Sequence, residues 1–243
     1  MRINFLLISI ALLANMHAIA NYQTIGDTSG NNMLTQKEMQ EGWKLLFNGK
    51  TLDGWRTYKN QPGAWKVNEG ELCSERSGNA HADLITDNEF ENFELSIDWK
   101  ISPKGNSGIM YLVTENYDNA FESGPEYQLI DDDGFPEHIE DYQKTGANYA
   151  MQAPAIKAAN APGEWNHTTI IVNKGHVEHW LNGKKVVEYT LGSDEWKKQK
   201  AAGKWKDEAG YGEARKGHIA LQSAHSDIDN TYICFKNIKI KML

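Results

Sequence analysis

The sequence predicts an all-β sandwich of two packed antiparallel sheets, with one surface helix inserted between late strands. Three observations lead there. Short runs rich in β-branched and aromatic residues recur along the chain, separated by turn residues, and about a dozen such runs are more than one sheet ordinarily holds. The run Phe93-Glu-Leu-Ser-Ile-Asp-Trp99 alternates apolar with polar side chains, the period of a strand with one buried face. The pair Asn182-Gly183 separates two such runs, and it is the strongest short hairpin signal because both central residues of the favoured turn need a positive φ.

The elements follow in order. Residues 1–20 read as a signal peptide: Arg2, an apolar run from Phe5 to Ala14, then Ala18-Ile19-Ala20 as a small-x-small cleavage site. The apolar run is shorter than the ~20 residues that cross a bilayer. Export to the periplasm or the outside is therefore expected. Residues 21–40 read as a polar linker, in which Thr35-Gln-Lys-Glu38 has capping-box spacing for a short helical turn. Strand texture begins near Trp43, and one domain is expected over residues 41–243. Trp65-Lys-Val67 and Glu71-Leu-Cys73 flank Asn68-Glu-Gly70 as a hairpin. Ser107 to Val113 forms the strand after Phe93–Trp99. Asp132 to Lys144 is acidic and turn-rich, and reads as a long loop. Thr168 to Asn173, His176 to Leu181 and Lys185 to Tyr189 are strands joined at Lys174-Gly175 and Asn182-Gly183. Ser193 to Ala202 opens on a capping Ser, with acids first and lysines later, the order that suits a helix dipole. Thr231 to Ile240 is the closing strand.

A net charge of -8 argues against nucleic acid as a partner, because phosphates require a basic footprint. No apolar stretch after the leader could cross a membrane, so no span is expected once it is removed. The two cysteines, Cys73 and Cys234, could pair in an oxidising compartment or pack as small apolar side chains. No phosphate-binding glycine loop, serine elbow, HExxH pair or Cys–His nucleophile pattern is present.

Alternation sets the candidate site. Glu126, Gln128 and Ile130 share one face of a strand, where a carboxylate and an amide can grip sugar hydroxyls. Glu122 lies close by in Glu122-Ser-Gly-Pro-Glu126. Lys100 ends the polar face Glu94/Ser96/Asp98/Lys100, for which a solvated outer face is the alternative. His225 follows a strand in Leu221-Gln-Ser-Ala-His225, whereas His81, His138 and His218 are scattered without metal-ligand spacing. Among Trp55, Trp65, Trp165 and Trp180 some belong to the core and one or two suit stacking on a sugar ring. These residues alone reach as far as an exported β-sandwich that binds carbohydrate.

Longer runs add to this. They are Trp43-Lys-Leu-Leu-Phe-Asn-Gly49 with Leu52-Asp-Gly-Trp55, Phe93 to Lys100, Asn106-Ser-Gly-Ile109, Gly124-Pro-Glu-Tyr-Gln-Leu-Ile-Asp131, Thr145-Gly-Ala-Asn-Tyr149, Gly163-Glu-Trp-Asn166, Trp180-Leu-Asn-Gly183, Gly217 to Gln222 and Phe235 to Ile240. In this order they resemble the 3-keto-disaccharide hydrolase domain family, a branch of the concanavalin A-like lectin/glucanase fold. The resemblance implies a jelly roll with a cleft on its concave sheet. It implies a glycosidase acting on 3-keto-disaccharides or other 3-keto-glycosides, which a partner 3-dehydrogenase has oxidised beforehand. The implied route is carbon-2 proton abstraction, elimination of the carbon-1 substituent and hydration of the enone. That needs a base, an acid and a means of holding enolate charge. The resemblance fixes no cofactor; a divalent metal across the ketone and its neighbouring hydroxyl could hold the charge, and the sequence leaves its ligands unknown. Carried over residue by residue, Glu126 and His225 are expected to move protons or contact the metal. Lys100, Asn106, Gln128, Asp131, Tyr149 and Glu122 are expected to bind substrate. Two departures stand out: Ser223-Ala-His225-Ser-Asp is one residue longer than the family's usual run after Leu-Gln, and Gly134-Phe-Pro136 replaces Gly-His-Pro, with His138 two positions beyond. A non-catalytic carbohydrate-binding module is the main alternative, since fold does not fix function. A conventional two-carboxylate glycosidase and a structural cell-surface protein follow.

Overall fold

Local turn chemistry sets the register of this chain. Glu69-Gly70, Lys174-Gly175 and Asn182-Gly183 each place two successive residues at positive φ, between 48° and 84°. That is the backbone of a tight two-residue hairpin turn, whose twist matches the flanking strands. A computed structural model describes residues 30–75, 81–225, 228 and 230–243; the expected signal peptide lies outside the described residues.

The strands in chain order are β1 (Trp43–Leu45), β2 (Trp55–Thr57), β3 (Trp65–Asn68), β4 (Glu71–Glu75), β5 (Leu84–Thr86), β6 (Phe93–Ile101), β7 (Asn106–Val113), β8 (Glu126–Ile130), β9 (Asn166–Asn173), β10 (His176–Leu181), β11 (Lys184–Thr190), β12 (His218–Leu221) and β13 (Tyr232–Met242). Two helices, α1 (Gln36–Gln40) and α2 (Asp194–Ala202), complete the main elements. The large sheet runs β11-β10-β9-β6-β13-β4-β3, with β1 also on β13; the small sheet runs β2-β5-β12-β7-β8. Every pairing is antiparallel. The fold is therefore the all-β jelly-roll sandwich of two antiparallel sheets that the sequence implied.

Alternation decides what lies between the sheets. Leu95, Ile97 and Trp99 of β6 and Ile170 and Val172 of β9 meet Ile109 and Tyr111 of β7 and Tyr127 and Leu129 of β8, all buried in one cluster. Fully burying such a side chain contributes about 1.5–3 kcal/mol. Polar groups within this core find partners of their own, as where the buried Trp99 indole donates to Thr168 Oγ1 at 2.9 Å; Asn148 Nδ2, Trp196 Nε1 and Gln222 Oε1 are the buried side-chain atoms left without one among the described residues.

Three expectations are refined. Within the stretch read as a linker, Asn32 exchanges hydrogen bonds with Asn237 (2.6 and 2.8 Å) and α1 carries the expected capping box, so residues 30–40 are docked against the large sheet. Helix α2, capped by Ser193 as expected, is more than a surface insert: Trp196 is buried in the core cluster, and so is Trp205 in the 3-10 turn that follows. Cys73 and Cys234 are directly opposed on β4 and β13 and form a disulfide, so they are more than small packing groups.

Candidate active site

Register across the small sheet builds the site. Ile85, Ala220, Met110 and Glu126 are successive cross-strand partners on β5, β12, β7 and β8. The first three form an apolar patch on the outer face of this sheet, away from the inter-sheet core. Two residues along, alternation repeats the face with different chemistry. Gln222 donates its N–H to the Gly108 carbonyl at 2.9 Å, and Gly108 is the partner of Gln128. Asp83, two residues before Ile85, joins the same wall, and its carboxylate accepts the Ser223 N–H at 3.1 Å. Asp83, Gln222, Gln128, Asn106 and Glu126 thus line one cavity of about 270 Å³.

Gly108 is the gap in this row. A Cβ there would lie 2.1 Å from Glu126 Oε1, so the missing side chain is the space into which the carboxyl leans. Gln128, with its amide nitrogen toward Glu126, donates to Glu126 Oε1 and to the Ser107 carbonyl, each at 3.2 Å. The other end of that amide meets the Asn106 side chain at 3.2 Å. Tyr149 arrives from the segment that extends the sheet beyond β8: Gly146 donates to the Gln128 carbonyl (2.9 Å) and Tyr149 to the Glu126 carbonyl (3.0 Å). His179, buried between the sheets, holds this segment from inside through Nδ1 and the Gly146 carbonyl at 3.0 Å. Burial pushes His179 down to about 4, which keeps the ring neutral.

Burial also sets the acids. Glu126 is 3 % exposed, and desolvation pushes it up to about 8; the Lys204 charge lowers it and the Asp83 charge raises it. Asp83 is pushed up to about 7, again by desolvation, against the Ser223 N–H that favours its anion. Two carboxyl groups from different strands therefore titrate near neutrality around one cavity, the signature of an acid/base site.

The structure brings together five of the expected residues: Glu126, Gln128, Asn106, Tyr149 and His225 all line this cavity. His225 stands exposed at the rim, its N–H on the Asn106 carbonyl at 3.2 Å and its Nδ1 3.3 Å from the Ser223 carbonyl. Three expectations are corrected. Lys100, expected to bind substrate, lies on the outer face of the large sheet, where it pairs with Glu71 at 3.3 Å and stacks over Trp165, away from the cavity on the small sheet. Asp131 is turned into its own loop, accepting the N–H groups of Lys104 (2.8 Å) and Gly134 (2.9 Å), so both oxygens are used in shaping the backbone. Glu122 is not on the cavity wall; it accepts from Asn119 (2.6 Å), which is. His138 is exposed beside Glu140 and is not among the residues that line the cavity.

Asp83, His81, Lys204 and Trp205 also line the cavity. Sequence signals for them are faint. His81-Ala-Asp83 shows strand alternation just before an apolar run, but nothing local says that this face meets that of Glu126. Among the described residues the cavity does not gather three His, Cys, Asp or Glu donor atoms within 4.8 Å of one another. His81, Asp83, Glu126 and His225 are the donor side chains that the described part of the cavity offers.

Comparison with known proteins follows the same lines. A 3-keto-disaccharide hydrolase of Bacteroides thetaiotaomicron is 32% identical over 234 residues, covering 84% of this chain and 79% of that protein. The crystal structure of a candidate glycosyl hydrolase from Parabacteroides distasonis is 42% identical, with a TM-score of 0.81 over 88% of this chain and 100% of that one. A second from the same organism is 30% identical, with a TM-score of 0.63 over 83% and 99%. The lumenal domain of VIP36, solved with calcium and a mannose oligosaccharide, shares the fold at 8% identity and a TM-score of 0.51, over 84% of this chain and 89% of that one. Residues 42–241 match the family described as the 3-keto-alpha-glucoside-1,2-lyase-like domain, and to that family this chain belongs.

Proposed function

We propose that this protein cleaves 3-keto-glycosides, among them 3-keto-disaccharides, by elimination and hydration. The observation that carries the reading is the pair Asp83 and Glu126, raised to about 7 and about 8, on one wall of a small-ligand cavity. The Ser223 N–H favours the Asp83 anion, so Asp83 serves as the base and Glu126, the more deeply buried, as the acid. The ketone at carbon 3 acidifies the carbon-2 proton. Asp83 takes that proton, and the C2–H electron pair moves to the C3 oxygen as an enolate. The enolate collapses to restore the ketone and form the C1=C2 bond, and the C1–O bond breaks. Glu126 protonates the departing alcohol. Water then adds to the enone, hydroxyl to carbon 1 and hydrogen to carbon 2, through the same two groups in reversed roles. Asn106, Gln128 and Tyr149 hold sugar hydroxyls, and His225 closes the rim. Any metal in this pocket would draw on His81, Asp83, Glu126 and His225.

The substrate must come from a dehydrogenase that oxidises carbon 3, since an unoxidised sugar lacks an acidic carbon-2 proton. Action outside the cytoplasm, in the periplasm or beyond the cell, suits the Cys73–Cys234 bridge. The deciding experiment incubates purified protein with a 3-keto disaccharide and its unoxidised parent. Cleavage of the ketone alone is expected. Equal cleavage of both would assign a conventional glycosidase, and binding without cleavage would assign a carbohydrate-binding module.

A further inference from the structure

We propose that Lys204 is the cation that stabilises the enolate oxygen, a catalytic role that rests on the reaction just described. Among the described residues Lys204 is the sole lysine or arginine lining the cavity. Several other lysines pair with a carboxylate, as in Lys100–Glu71, Lys241–Glu94 and Lys200–Glu213. Lys204 has no carboxylate within ion-pair distance among the described residues. Instead its ammonium sits 4.6 Å from the centre of the Tyr149 ring and 4.7 Å from that of Trp205. Two such contacts bias a flexible side chain toward one position.

That position is tied to the acid. The Trp205 indole donates to the Tyr149 carbonyl at 3.0 Å, and the Tyr149 N–H donates to the Glu126 carbonyl at 3.0 Å. Glu126, Tyr149, Trp205 and Lys204 are therefore linked in one chain of contacts, and the ammonium stands over the same cavity as the carboxyl. Its chemistry complements what the cavity lacks. When the carbon-2 proton moves to Asp83, a full negative charge appears on the C3 oxygen. Both carboxyl groups are then protonated and neutral, and they, like the amides of Gln128 and Gln222, offer that charge only dipoles. An ammonium held beforehand over the site stabilises that charge without reorganisation, which is where electrostatic catalysis gains most. The helical insert, whose buried Trp196 and Trp205 anchor it to the core, thereby acquires a purpose: it carries a cation to the mouth of an otherwise acidic pocket.

The test compares wild type with Lys204→Met and Lys204→Arg on an uncharged 3-keto disaccharide. It reads kcat and KM across pH, together with deuterium uptake at carbon 2 in heavy water. Lys204→Met is expected to lower kcat at the pH optimum about 100-fold or more, the scale of losing one oxyanion-stabilising group. KM should change little, carbon-2 exchange should fall in parallel, and Lys204→Arg should recover part of the rate. Full kcat with only the alkaline limb moved upward would overturn the proposal, leaving Lys204 as a group that tunes Glu126. A loss confined to KM, or to substrates bearing a carboxylate, would overturn it in favour of ground-state recognition. Wild type that neither cleaves nor exchanges any 3-keto glycoside would remove the reaction itself, and the role of Lys204 with it. Circular dichroism establishes that both variants are folded.

Discussion

At the scale of single residues, the site stores unfavourable electrostatics that the fold sustains. Glu126 ionises near 8 in the folded chain, against an ordinary value of 4.5. The native state therefore keeps this proton where the unfolded chain has lost it. Stability from the neutral carboxyl is fully present below about pH 4.5 and is lost as pH rises through about 8. Glu126→Gln removes the ionisation. It is expected to lower turnover about 100-fold or more. Urea unfolding should show a stability advantage over wild type that is near zero at pH 4 and grows to about 5 kcal/mol at pH 8.5. An advantage independent of pH would mean that Glu126 is not buried as a neutral acid. Gly108 carries a complementary prediction. Its added Cβ would meet Glu126 Oε1 at 2.1 Å, so Gly108→Ala must turn the carboxyl away. It should cut kcat by an order of magnitude or more while the circular dichroism spectrum stays unchanged; normal turnover would free Glu126 from this geometry.

At the scale of elements, the small sheet works because neighbouring strands and the residues at their ends build one wall together. Asp83 precedes β5, Gln222 follows β12, Gly108 lies on β7, and Glu126 and Gln128 lie on β8. The disulfide fixes two elements that lead into this region. Cys73 lies on β4, which runs toward His81 and Asp83, and Cys234 lies on β13, which the chain enters after His225. Ser74, beside Cys73, accepts the Ala224 N–H at 3.4 Å. Bridging residues 161 apart removes much freedom from the unfolded chain. Cys73→Ser with Cys234→Ser should therefore lose about 2–4 kcal/mol in chemical denaturation. Unchanged stability would mean that the strand ladder alone holds β4 on β13.

At the scale of the whole molecule, both sheets, β9 to β11 and the helical insert share one buried cluster. Trp196 and Trp205 stack with Tyr211, at ring-centre distances of 6.0 and 4.2 Å, and so tie α2 and the turn after it to the sandwich. The insert should not unfold independently. Tryptophan fluorescence and far-ultraviolet circular dichroism are expected to give coincident transitions in urea. An early fluorescence change would show that the insert detaches first. Among the described residues no helix is long and apolar enough to cross a membrane.

Much of this architecture is local, and so it was legible in the sequence. The Asn182-Gly183 turn, the alternation of β6, the Ser193 cap and the Thr35/Glu38 capping box all act within a few residues, where backbone sterics and side-chain hydrogen bonds suffice. The faces of Glu126 and Gln128 followed from the same period of two. What alternation leaves open is which of two sheets a polar face belongs to, so the polar face ending in Lys100 reads as a substrate wall in the sequence although it lies on the opposite side of the sandwich from Glu126. Asp131 shows the other blind spot, since only the folded loop reveals that both its oxygens are taken by backbone N–H groups. The partnership of Asp83 with Glu126, the gap at Gly108, the approach of Lys204 and the pairing of Cys73 with Cys234 join segments far apart in the chain. Their physics is desolvation and close approach, and neither exists until the strands have packed.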